Sequence, residues 1–222
     1  MNQIAGYLIT IPAVLLTIML HELAHGYTAY RLGDPTAKVY GRLTLNPIRH
    51  IDIIGAVCMV LFHFGWAKPV PVNAVNFKNP KRDMALTALA GPLTNFVIAF
   101  FCVPIYLLLS RAYVSVALEN GIAFFGARLL ETLTLFFWYL TTVNLGLCLF
   151  NLIPLPPLDG SRILFAFLPD AKYYSIMRYE RYFSLALMIF LLLGANFGFL
   201  SIFSGAIRDG METVWSIIPI FR

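Results

Sequence analysis

Charge is scarce in this chain. Only 12% of its 222 residues are Asp, Glu, Lys or Arg, about half the share of an ordinary soluble domain. That scarcity argues against a soluble globular protein. No dense basic run exists to make a nucleic-acid surface, so the net charge of +5 reads as loop charge and no nucleic-acid partner is expected. Cysteine is almost absent. Cys58, Cys102 and Cys148 all sit in apolar stretches without C-x-x-C spacing, which excludes a disulfide framework or a cysteine metal cluster and leaves packed thiols. The N-terminus lacks the basic segment and small-residue cleavage site of a secretory signal, so it is expected to stay as a membrane span. No low-complexity segment or internal repeat is present.

What the chain has instead is apolar length. Hydrophobic residues make up 59% of it and the mean hydropathy is +0.77. About 20 apolar residues cross the hydrocarbon as a helix. Long runs over about residues 4–30, 84–109, 130–150 and 182–203 therefore predict four transmembrane helices in a lipid bilayer. Pro12 lies inside the first, and Gly91-Pro92 is expected to interrupt the second early. The run at about residues 53–64 is too short to cross and rich in β-branched and aromatic residues. With the Pro- and Gly-bearing "GWAKPVPVN" after it, it reads as a re-entrant β-element over about residues 53–72. Residues 206–222 carry Ile207, Met211, Val214, Trp215 and Ile218 at helical spacing and read as an interfacial helix. The expected architecture is an α-helical polytopic membrane protein, with residues 1–222 as a single membrane-embedded domain. Twelve of the 16 basic residues fall on the loops that follow the first and third spans. That asymmetry puts those loops in the cytoplasm and the N-terminus outside.

Ionisable groups at membrane depth are costly and point to function. "LTIMLHELAHGYTAYRLGD" contains His21-Glu22-Leu23-Ala24-His25, an H-E-x-x-H pattern. Two histidines at i and i+4 share one helical face and can grip one zinc, with the glutamate beside the metal's water. A catalytic zinc needs a third protein ligand. Asp159, in "FNLIPLPPLDGSRIL", is the acidic residue beside an irregular membrane-depth segment. Counting spans brings it to the cytoplasmic depth of His25. A competing reading has Asp159 capping the helix that starts near Gly160, and the residues alone leave both open.

The stretches "HELAHGYTAYRLGD", "GRLTLNPIRHID", "FGWAKPVPVN", "ALAGPLTNF" and "FNLIPLPPLDGSRIL" together resemble the site-2 protease family of intramembrane zinc metalloproteases, in its compact form without a PDZ domain. The resemblance implies one Zn²⁺ per chain held by His21, His25 and Asp159, with Glu22 as catalytic acid/base. It matches Asn151, Pro154 and Gly160 to the family's N-x-x-P-x-x-x-x-D-G pattern. It also places Asn95, after Gly91-Pro92, at the active site, where its amide can hold a substrate carbonyl or oxyanion; an interhelical hydrogen bond is the alternative. The implied activity is hydrolysis of peptide bonds in or near transmembrane segments, with the substrate bound as an extended strand. A zinc transporter or other metal-binding membrane protein is the competing function. His50 is expected at the surface of a basic loop, Asn144 to make a packing hydrogen bond, and Asp52 to fix its loop. His63 lies in the re-entrant run.

Overall fold

The computed structural model describes residues 3–55, 58, 66–193 and 198–221, which are mostly helical. Chain contacts divide it into two compact units. One comprises Met1–Thr17, Asn95–Leu147 and Phe199–Arg222; the other comprises Ile18–Thr94 and Cys148–Gly198. Three long helices contribute a stretch to each: α1 (Gln3–Arg31), α3 (Pro80–Asn120) and α4 (Phe125–Asn151). The short α2 (Thr36–Val39) lies between the first two. Among the described residues, these three long helices are the ones long and apolar enough to cross a membrane, with spans of 26 (Gly6–Arg31 of α1), 41 and 27 residues. At about 1.5 Å per residue, even the shortest exceeds the ~30 Å hydrocarbon core.

The local chemistry explains where these helices begin and end. Pro80 opens α3 at a position where its missing N–H costs nothing. Asp83 reaches back to accept the Asn79 N–H at 3.1 Å, while its own N–H donates to the Asn79 carbonyl at 2.8 Å. The first bond satisfies a backbone N–H at the helix entry, and the second is the first i→i−4 bond of the helix. Helix α1 stops at Gly33, whose φ of 111° favours glycine. There the Asp34 N–H turns back to the Ala29 carbonyl at 2.9 Å. The expected break at Gly91-Pro92 does not occur: α3 runs through it, and Pro92 is fully buried. Packed neighbours make proline tolerable inside membrane helices.

The remaining elements are α5 (Asp159–Phe165), α6 (Asp170–Met177), α7 (Glu180–Leu192) and α8 (Gly198–Ser216). The stretch expected as a fourth span, 182–203, falls on α7 and the start of α8, with residues 194–197 outside the described set. At 13 residues, α7 alone is about 20 Å long and short of the hydrocarbon thickness. The tail helix starts at Gly198 instead of 206. Its face is apolar as expected, but that face meets protein: Ile207, Met211 and Trp215 pack with Ala99, Val103, Tyr106 and Leu145. Val214 and Ile218 stay exposed.

No strand occurs among the described residues, and an expected β-conformation is not met at Ile53, Ile54 and Gly55, which are helical. His63 and the rest of 59–65 lie outside the described set. An isolated antiparallel bridge joins Ile51 to Ala67, and the Lys68 N–H donates to the His50 carbonyl at 2.9 Å. His50 itself is buried, with Nε2 2.9 Å from the Thr44 carbonyl, which corrects the surface placement. Asn144 makes its packing bond to Thr17 Oγ1 at 2.8 Å. Asp52 accepts the Gly55 N–H at 2.9 Å.

Candidate metal centre

Helical spacing brings the two histidines of α1 together. Their rings meet edge to face with centroids 4.5 Å apart, and their Nε2 atoms lie 2.9 Å apart. Asp159, the first residue of α5, brings Oδ2 to 3.3 Å from each Nε2. His21 is 5% exposed and the side chains of His25 and Asp159 are 12% and 18% exposed. These three donors lie within 4.8 Å of one another. Tetrahedral zinc with ligand bonds of about 2.0–2.1 Å requires donor separations of about 3.3–3.4 Å. Two of the three separations meet that value and the third is short by a few tenths. The donor set, two imidazoles and a carboxylate, also suits zinc, so the residues fit the ion.

The backbone around the donors is closely fitted. His25 Nδ1 lies 2.7 Å from the Thr87 carbonyl on α3. A carbonyl only accepts, so Nδ1 carries the proton and Nε2 keeps its lone pair for a metal. One turn further along α3, Gly91 brushes the pair: a Cβ there would overlap His25 Nε2 and fall 2.6 Å from His21 Cε1. Only glycine permits that approach. Gly160 does the same for Asp159, because a Cβ would overlap the Leu152 carbonyl in the loop leaving α4. Asp159 does not cap its helix. Leu158 occupies that position, without a side-chain cap bond, so the carboxylate is committed to the histidines.

Glu22 is fixed by a main-chain donor: its Oε2 accepts the Val70 N–H at 2.8 Å. Three residues before His25, it lies on the same side of α1. Val70 belongs to a non-helical strap, residues 67–73, tied to the polar connector that follows α1. Nothing in side-chain identity marked Val70 or Thr87, since each contributes a backbone group. Of the remaining expected residues, Asn95 is fully buried one turn beyond Gly91 on α3, within the other unit. Asn151 ends α4, and Pro154 lies exposed in the loop before Asp159.

The model of Peptidase family M50 matches residues 9–195. The chain belongs to that family. Among its relatives, YwhC of Bacillus subtilis, named as a candidate zinc metalloprotease, is 42% identical over 76% of this chain and 73% of the relative. Rip2 of Mycolicibacterium smegmatis, named likewise, is 29% identical over 72% of this chain and 57% of the relative. A zinc metalloprotease of Methanocaldococcus jannaschii is 30% identical over 76% of this chain and 37% of the relative. The chain thus spans just over half of the mycobacterial M50 relative and little more than a third of the archaeal one. No solved structure gives a significant match.

Proposed function

We propose that the chain is an intramembrane zinc endopeptidase that cuts peptide bonds in or near the transmembrane segments of membrane proteins. Its class follows from the family: it is an integral membrane zinc metallopeptidase. We assign His21, His25 and Asp159 as ligands of one zinc and Glu22 as the general acid/base. The convergence of those three donors on the helix that carries Glu22 is the observation behind the assignment.

When bound, zinc supplies Lewis acidity and brings the pKa of a water to about 7. Glu22 takes the proton of the attacking water and returns it to the leaving amine. The Val70 N–H engages one carboxylate oxygen and fixes the rotamer, so that transfer starts from an ordered base. The Thr87 carbonyl keeps His25 in the tautomer that a metal requires. Asn95 is assigned to the substrate carbonyl or the developing oxyanion, on the match of "ALAGPLTNF" to the family's pattern. Gly91, Pro92, Asn151, Pro154 and Gly160 shape the segments that carry these groups.

The whole of residues 1–222 is read as one membrane-embedded peptidase domain with four spans, the fourth drawn from 182–203, and an interfacial tail. A helical substrate hides its peptide bonds, so it must bind extended. We assign its binding to strand addition beside the isolated antiparallel bridge of Ile51 and Ala67. The charge asymmetry of the loops supports a cytoplasmic-side active site and an external N-terminus. A thiol introduced as Lys38→Cys should then be labelled from the cytoplasmic face alone; labelling from outside would reverse the orientation.

The experiment is reconstitution with zinc and a single-span membrane substrate. Zinc-dependent appearance of fragments cut within or beside the span is expected. Zinc uptake into the vesicles without any cleavage would overturn the reading in favour of transport.

A further inference from the structure

Two buried charges of opposite sign sit at the two ends of the strap, and neither is in an ion pair among the described residues. Asp34 is fully buried and Arg42 is 6% exposed. Both are spent on the strap and its surroundings. Arg42 Nη2 donates to the Lys68 carbonyl at 2.5 Å and to the Pro69 carbonyl at 3.3 Å, while Nη1 donates to the Arg49 carbonyl. Asp34 Oδ2 accepts the Asn73 N–H at 2.7 Å, and Oδ1 accepts Asn76 Nδ2 at 2.6 Å as well as the N–H and hydroxyl of Thr36. Burying a lone charge is costly, and Arg42 Nε is left buried without a partner among the described residues. A loop that needed only to be closed would not require two such groups.

The strap's own sequence shows what is being held. Pro69 and Pro71 bracket Val70, so Val70 carries the single N–H of the tripeptide, and that N–H goes to Glu22. The prolines also stiffen the chain on either side. The same two prolines make this stretch a poor template for strand pairing, which separates it from the substrate-binding edge. We propose that Asp34 and Arg42 are positioning residues for Glu22, acting through the strap to aim the Val70 N–H and so fix the carboxylate for proton transfer. The proposal rests on the assignment of Glu22 as acid/base.

The test is steady-state kinetics on a single-span substrate, with zinc content measured on the same full-length preparations in lipid. Arg42→Lys, which keeps the charge but not the fork, Arg42→Gln and Asp34→Asn should each retain about one zinc and a KM within about twofold, while kcat falls about tenfold to a hundredfold. The double variant Pro69→Ala, Pro71→Ala keeps every side-chain clamp and decides the matter if the charge variants do not fold; it should show the same split to a smaller degree. Unchanged kcat in a folded variant overturns the proposal. So does a parallel loss of zinc, KM and kcat in the double variant, which marks the strap as merely structural. Glu22→Gln is run alongside. If it turns over like wild type, the acid/base assignment itself fails. If it is inactive while the strap variants match wild type, only the positioning role fails.

Discussion

His25 donates its Nδ1–H to the main-chain carbonyl of Thr87 at 2.7 Å, and this leaves its Nε2 facing Asp159 at 3.3 Å. One hydrogen bond to a neighbouring helix thus selects the tautomer, sets the ring plane and links the H-E-x-x-H face of α1 to α3. The centre is an arrangement of three segments distant in the chain, each contributing a donor or the backbone that orients one.

Removing any one donor should cost the metal. His21→Ala, His25→Ala and Asp159→Ala should each lower zinc affinity by more than the ~10–100-fold expected from losing a ligand's hydrogen-bond support alone. Metal analysis after gel filtration against a weak chelator checks this, and variants that keep about one zinc per chain would contradict the ligand assignment.

Gly91→Ala should act on the same centre without changing any donor. The added methyl overlaps the imidazoles of His21 and His25, so either α3 shifts or the pair separates. Activity should fall about tenfold or more, with weakened zinc retention and little loss of helix content by circular dichroism. A fully active Gly91→Ala would mean that the close approach is not maintained in the working enzyme.

Asp34 gives a pH signature. Burial opposes its ionisation, but hydrogen bonds from Thr36, Asn76 and Asn73 outweigh it and hold the carboxyl below its ordinary 3.8. A carboxylate with a lowered folded-state pKa adds stability that is fully present above the unfolded value and lost as pH falls through the folded one. Asp34→Asn should therefore melt lower than wild type at neutral pH, and the gap should close below about pH 4. Thermal unfolding in detergent at several pH values measures this; a gap that widens in acid would contradict the sign.

The spans and the zinc motif were legible because each rests on side-chain identity at fixed spacing. Hydrophobic length announced α1, α3 and α4, and the 21–25 spacing announced a shared face. Asp159 could be matched by its depth, but its cap role could be judged only in three dimensions: Leu158 takes the cap position and the carboxylate turns to the histidines. Other features were hidden for physical reasons. The Val70 N–H and Thr87 carbonyl are backbone groups, which every residue but proline carries in full, so composition cannot single them out. His50 reads as a loop residue among basic neighbours, yet the Thr44 carbonyl and the Lys68 N–H make its burial tolerable. Gly91-Pro92 reads as a helix break, but packing keeps α3 continuous. The apolar face of α8 suits either lipid or protein, and hydrophobic periodicity does not distinguish those partners.

The most direct test compares wild type with Glu22→Gln in lipid, scoring zinc content and cleavage of a single-span substrate together. The account predicts about one zinc per chain in both and fragments from wild type alone, with turnover by the variant down by a factor of ~100 or more. Cleavage by Glu22→Gln at the wild-type rate, with its zinc in place, would contradict it.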